Sequence, residues 1–177
     1  MRFSPSQQLR RSSAMARPLG LTSTRSDRFD ASMFAARNDR YLTPLGFIRS
    51  LGRFDLDPCG APEHPTADTV WTPEEVGDGL SMPWHGRVWL NPPYGRTMRE
   101  WVSALFRHGS GVALIPCAPD TKLWQELILP NASGVLLVKG RIRYVNSDAP
   151  CNHASAVVAV SPEDRLSLIE SQQGYVF

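Results

Sequence analysis

The residues best able to do chemistry stand together at Asn91-Pro92-Pro93-Tyr94, directly after the apolar run Val88-Trp89-Leu90. An Asn amide oxygen and the carbonyl of the following Pro can each accept one N–H bond from an exocyclic amine. The N6 of adenine is such an amine, and a poor nucleophile, because its lone pair is delocalised into the ring. Held by two acceptors, it loses conjugation and points the lone pair at an electrophile, so orientation and electrostatics take the place of a strong base. The two prolines fix φ and keep the chain extended, which sets the carbonyl's direction. Tyr94 offers a flat face for an extruded base. Asn-Pro-Pro is also a competent strand-ending turn. The flanks favour chemistry: an apolar strand before and helical spacing after put Asn91 at a strand's carboxyl end, where ligand sites of open α/β sheets lie.

The elements that must position this tetrapeptide follow from periodicity and punctuation. Thr43-Pro44 reads as a helix start, Thr as N-cap and Pro at the first helical position. Leu45, Ile48 and Leu51 then mark one face of a short helix that Gly52 ends. Phe54–Asp57 reads as a strand stopped by Pro58-Cys59-Gly60-Ala61-Pro62, and residues 61–86 as loop with at most short elements. Arg87–Leu90 is the strand before Asn91. Met98, Trp101, Val102, Leu105 and Phe106 have helical spacing, ended by Gly109 and Gly111. Val112–Ile115 and Val135–Val138 are buried strands by their continuous apolar runs. Thr121–Leu129 reads as a helix broken by the stretch from Pro130 to Gly134, Ala154–Val160 as an antiparallel strand at or beside the sheet's far edge, and Ser161-Pro162 as a last helix start. Strands alternating with helices at this spacing predict a mostly parallel sheet covered on both faces.

With 177 residues, 42% hydrophobic and 20% charged, the chain suits one domain with a real core. No apolar run reaches the ~20 residues of a membrane span, and the N-terminal stretch lacks the compact apolar segment of a signal peptide. Residues 1–40 carry eight Arg against three Asp, and the remainder eleven Lys and Arg against fourteen acids. The basic excess therefore lies in an N-terminal arm, residues 1–35, which reads as flexible and could grip phosphates. Residues 36–177 form the domain. The odd, scattered Cys59, Cys117 and Cys151 suit reduced thiols. Neither Cys59 with His64 nor Cys151 with His153 has the spacing of a structural zinc site, so no metal is expected.

Other motifs are weaker singly. Asp57-Pro58-Cys59-Gly60 ends a strand in a turn that lets backbone approach a ligand closely, with an acid able to meet a cationic group. Asp78-Gly79-Leu80 either places a carboxylate to accept from an adenine amine or makes a plain turn. In order, Thr-Pro before a helix, Asp-Pro-x-Gly after a strand, Asp-Gly-Leu, Trp and Asn-Pro-Pro-Tyr resemble the N6-adenine DNA methyltransferases of bacteriophages and prophages, the small family related to Dam-type enzymes. The likeness runs from about Tyr41 to Tyr144. It includes the block from Asp78 to Tyr94 and the later Gly140-Arg141-Ile142-Arg143-Tyr144.

The resemblance implies an abbreviated Rossmann-like, S-adenosylmethionine-dependent methyltransferase fold and methyl transfer to N6 of adenine in double-stranded DNA. It belongs to a phage or restriction-modification setting in a bacterial cytoplasm, acting as monomer or homodimer. By resemblance, Asn91, Pro92, Pro93 and Tyr94 are the catalytic loop. Asp57, Pro58 and Gly60 match the first cofactor motif, Thr43 and Pro44 the segment flanking the methionine moiety, and Asp78 the adenine-side carboxylate. Larger relatives carry a fuller Gly-x-Gly turn where Gly60 is followed by Ala-Pro. An acid for the ribose is Asp68 or Glu74, and only 34 positions separate Asp57 from Asn91. Phosphate contacts fall to Arg96 and Arg99 after the loop and to Lys139, Arg141 and Arg143 beyond a strand of the same sheet edge. Rival readings keep the loop on RNA adenine, cytosine N4 or protein glutamine, or make the chain a catalytically silent DNA-binding module.

Overall fold

The computed structural model describes residues 41–177, so the expected basic arm lies outside the described residues. Helix α1, Leu45–Ser50, starts after Pro44, whose fixed φ of −55° makes it the capping residue in place of Thr43. The Thr43 hydroxyl is turned instead toward the Asn91 side chain. Ile48 and Leu51 are buried and the chain leaves the helix through Gly52 at φ 100°.

Strand β1, Leu56–Asp57, is shorter than the Phe54–Asp57 expected, because the Asp55 N–H is drawn to the Arg87 carbonyl. Two short elements then fill the predicted loop: β2, Thr69–Val70, and α2, Pro73–Val76, followed by a 3-10 turn at Gly79–Ser81. Next come β3, Val88–Leu90, α3, Met98–His108, closed by left-handed Gly109, and β4, Gly111–Pro116. Leu123–Ile128 winds as a π-helix and continues as α4, Leu129–Asn131. The helix runs one residue past Pro130 and ends at Asn131, within the stretch from Pro130 to Gly134 expected to break it. The chain finishes with β5, Gly134–Val138, β6, Ser155–Ala159, α5, Pro162–Glu170, capped by Ser161, and β7, Gly174–Val176, which the sequence pattern did not reveal.

The seven strands form one sheet in the order β2-β1-β3-β4-β6-β5-β7. Strands β1 to β5 run one way and β6 and β7 the other, so the sheet is mixed: three pairings are parallel and three antiparallel. Strand β6 is not at the far edge; it lies between β4 and β5 with every residue buried. Beyond Ser155 the strand is a run of small and β-branched apolar residues, Ala156–Ala159, with no polar face to give to solvent, which suits an interior strand.

Alternation along the strands sorts the core into two layers. Val88, Leu90, Ala113 and Ile115 pack with Trp101, Val102 and Leu105 of α3 on one face. Trp89, Val112 and Leu114 pack with Ile48 of α1 and Leu168 of α5 on the other.

One polar cluster ties these layers to the strand that ends at Asn91. The buried Asp164 of α5 accepts from Arg87 Nε at 2.7 Å, from the Gly111 N–H at 2.7 Å and from the Ser161 hydroxyl at 2.8 Å. Arg87 also donates to the carbonyls of Leu51 and Arg53 and to the Ser167 hydroxyl, and lies 4.4 Å from the centre of the Phe54 ring. Removing one partner strands a buried charge, so Asp164→Ala should cost about 3 kcal/mol or more in urea unfolding. Breaking the exposed pair Arg53–Asp68 by Asp68→Ala should cost less than about 1 kcal/mol. Equal losses in the two variants would contradict this ranking.

Candidate active site

Because β1 and β3 are parallel neighbours, in register at Leu56 and Val88, their carboxyl ends deliver Asp57 and Asn91 side by side. The strand order also reverses here: β2 adds on one side of β1 and β3 on the other, the place where open sheets leave a crevice. A cavity of about 450 Å³ occupies it, walled by residues 41–43, 57–61, 77–79 and 91–94, with Trp101 of α3. That volume falls in the range of small-molecule sites.

The Asn91 amide is held on one side only. Its Nδ2 donates to the Tyr41 carbonyl at 2.8 Å and to the Thr43 hydroxyl at 3.4 Å. Its Oδ1 is buried with no partner among the described residues. A carbonyl can only accept, so the Tyr41 contact fixes which end of the amide is which. A buried acceptor left unpaired costs about 1–3 kcal/mol in an empty fold. An incoming N–H would recover it. The Asn91 backbone carbonyl is engaged differently, accepting from the Cys59 thiol at 3.4 Å.

Asp57 is buried and, among the described residues, held by neutral donors, the Thr66 hydroxyl at 2.5 Å and the Cys59 N–H at 3.1 Å. Burial pushes its carboxyl up to about 6, against the lowering effect of those hydrogen bonds. Burial and the neighbouring Asp57 also hold the Cys59 thiol well above its usual range, so it remains a thiol. The turn around Asp57 is tight. A Cβ on Gly79 would lie 2.0 Å from the Pro58 carbonyl, and one on Gly60 2.3 Å from Val70, so neither position has room for a side chain. Asp78, at the rim, accepts from the Leu80 N–H at 2.9 Å and caps the 3-10 turn.

Tyr94 closes the far end of the cavity inside an aromatic group. Its ring centre is 5.6 Å from Tyr41 and 5.7 Å, edge-on, from His153, and its hydroxyl is 3.2 Å from that of Tyr144. Burial raises both hydroxyls, Tyr144 to about 12, which keeps them protonated hydrogen-bonding groups.

This geometry joins an amine acceptor to a desolvated carboxylate across one crevice. The chain belongs to the DNA N-6-adenine-methyltransferase (Dam) family. That family's model matches residues 31–161, most of the chain, and DNA adenine methylation is the activity membership implies. No curated protein matches the chain.

Within this Dam-family chain the structure brings Thr43, Asp57, Pro58, Gly60, Asp78 and Asn91–Tyr94 to one cavity, whereas Pro44 serves α1. Neither Asp68 nor Glu74, the two candidates for a ribose acid, lines it; Asp68 pairs with Arg53 at 3.0 Å. The basic residues divide. Arg96 is exposed beyond Tyr94, but Arg99 is paired with Glu126 at 3.2 Å. Strand β5 runs the same way as β3, so Lys139 to Arg143 emerge on Asn91's edge of the sheet. There Arg141 and Arg143 face solvent while Ile142 and Tyr144 are buried. Burial first, and the Arg141 charge second, lower the His153 ring, which places Arg141 near the Tyr94 end. Cys151 Sγ is 3.0 Å from His153 Nδ1, and no group of three or more His, Cys, Asp or Glu suited to a metal occurs among the described residues.

Thr66, His64 and the Tyr41 carbonyl are the site groups that the sequence did not announce. Thr66 stands in an unpatterned loop nine residues past Asp57, and a backbone carbonyl has no signature at all.

The Asp57 value has a testable sign. A carboxyl raised from 3.8 to about 6 by folding binds its proton more tightly when folded, so stability grows as pH falls through 6 and levels off below 3.8. From pH 7 to 4.5 the parental protein should gain about 2 kcal/mol relative to Asp57→Asn. Parallel pH–stability curves for the two proteins would show that Asp57 is not the desolvated group.

Proposed function

We propose that this protein transfers a methyl group from S-adenosylmethionine to N6 of adenine in DNA, on an abbreviated Rossmann-like frame in which β1, β2 and β3 carry the site. The observation that carries the reading is the buried Asn91 Oδ1, without a partner among the described residues while the amide's N–H groups are engaged by Tyr41 and Thr43. An acceptor held in this way fits an amine donor and rejects a carbonyl.

The donor's fit rests on charge and room. S-adenosylmethionine is cationic at sulfur and supplies an electrophilic methyl when bound. The cavity's buried carboxylate, Asp57, has only neutral hydrogen-bond donors on it among the described residues, and a cation beside it would restore the electrostatic balance that burial removes. Asp57, Pro58 and Gly60 would hold the donor's polar end and Asp78 its adenine side; the tight Gly60 and Gly79 turns leave the wall open to it.

On the substrate side, Asn91 Oδ1 and the Pro92 carbonyl would take one N–H each from N6, turning its lone pair toward the methyl. Tyr94, with Tyr41, Tyr144 and His153 around it, gives the extruded base an aromatic wall. Transfer would break the methyl's bond to sulfur as the bond to N6 forms, leave a neutral thioether and release one N6 proton to solvent, so positioning would carry most of the rate. Asn91's acceptor would serve any exocyclic amine, including cytosine N4; adenine and DNA rest on the family.

Two outcomes are expected. Asn91→Ala should lower kcat at least about a hundredfold, with S-adenosylmethionine affinity by calorimetry kept within about twofold. Parental turnover in that variant would remove Asn91 from the chemistry. Arg141→Ala should reduce the slope of log affinity against log salt by about 0.9 if its guanidinium neutralises one DNA phosphate. An unchanged slope takes Arg141 out of the DNA footprint.

A further inference from the structure

The side chain of an Asn can present either end of its amide with almost the same shape, and only one end serves an amine. Whatever fixes that choice at Asn91 is part of the machinery. The segment Tyr41–Thr43 does so from outside the Asn-Pro-Pro-Tyr loop, by meeting the Asn91 Nδ2 with the Tyr41 carbonyl and the Thr43 hydroxyl. Three hydrogen bonds from other parts of the chain pin the segment. His64 Nε2 lies 2.9 Å from the Thr43 carbonyl, the Val145 N–H donates to the Leu42 carbonyl at 2.8 Å, and the Leu42 N–H donates to Asn146 Oδ1 at 3.0 Å. Thr43 is itself 2% exposed, so water does not replace its hydroxyl as the amide's partner.

We infer that Thr43 is a positioning residue for the methyl-transfer step, acting through the Asn91 amide rather than holding the methyl donor. The inference rests on the proposed function and adds to it a role for the Thr-Pro motif on the substrate side of the cavity. With the hydroxyl gone, one Asn91 N–H loses its buried acceptor, and the amide, its ends still set by the Tyr41 carbonyl, is held less firmly in the orientation that aims Oδ1 at the incoming amine. The Tyr41 contact is the shorter of the two and survives, so the loss is partial.

The test is steady-state methylation of unmethylated duplex DNA by Thr43→Val, with donor affinity measured separately by calorimetry. The expected result is a fall in kcat of about tenfold, the weight of one ordinary hydrogen bond. Affinity for S-adenosylmethionine should stay within about twofold of the parent, and Thr43→Ser should recover most of the rate. Thr43→Ala repeats the measurement with no added bulk in the buried position. Weakened donor binding, an unchanged kcat, or a serine variant as slow as the valine one overturns the assignment. These results presuppose an active parent; a parent that methylates no DNA sinks the proposed function itself, while an active parent with any of those three outcomes sinks this inference alone.

Discussion

Asp164 is buried at the first turn of α5, and its two oxygens take an Arg87 N–H, the Gly111 N–H and the Ser161 hydroxyl. Those three donors come from the start of β3, the start of β4 and the cap of α5. The same arginine reaches the carbonyls after α1. One charge pair thus fixes where β3 begins, against both its neighbouring strand and the helices of one layer. Three apolar residues later β3 ends, and Asn91 stands where that anchoring puts it. A strand so short has little hydrogen bonding of its own, so its register depends on what holds its entry. Buried ion pairs rarely add net stability over an apolar alternative. Here the pair gives a defined position, and the site needs position above all.

The crevice itself is built from groups that the fold leaves incompletely satisfied. Among the described residues, Asn91 Oδ1 is buried without a partner, and Asp57 is buried with hydrogen bonds but no counter-charge. Each costs the unliganded protein something, and under the proposed function each would be the complement of one reactant: an amine donor at Asn91, a cation at Asp57. Satisfied groups surround them. Thr66 holds Asp57, Tyr41 and Thr43 hold Asn91, and Cys59 touches both loops through its N–H and its thiol. The cysteine, which looked inert from its spacing, is chemically quiet and structurally placed between the two halves of the site.

Much of this was legible in the sequence where local rules act. Continuous apolar runs located β4 and β5, helical spacing located α3, and an apolar strand ending in Asn-Pro-Pro-Tyr put the amide at a strand's carboxyl end. What escaped depends on distance in the chain. Alternation tells which face a residue takes, not which strand lies beside which, so the interior place of β6 and the presence of β7 did not show. Thr43 looked like a helix cap because Thr before Pro usually is one; its hydroxyl instead serves a residue 48 positions away. Arg99 looked available for phosphate, but Glu126, on the π-helix Leu123–Ile128, pairs with it across the surface. The donor side was the least legible because the tight turn at Gly60 and Gly79 is shaped by contacts between loops, which no spacing rule encodes.

The central claim is that the amine presented to Asn91 is N6 of adenine in DNA. Incubating the protein with methyl-labelled S-adenosylmethionine and unmethylated duplex DNA, then digesting the DNA to nucleosides, tests it directly. The account predicts label in N6-methyladenine alone. Label in methylated cytosine, or DNA that takes up no label from a folded, donor-binding protein, would contradict it.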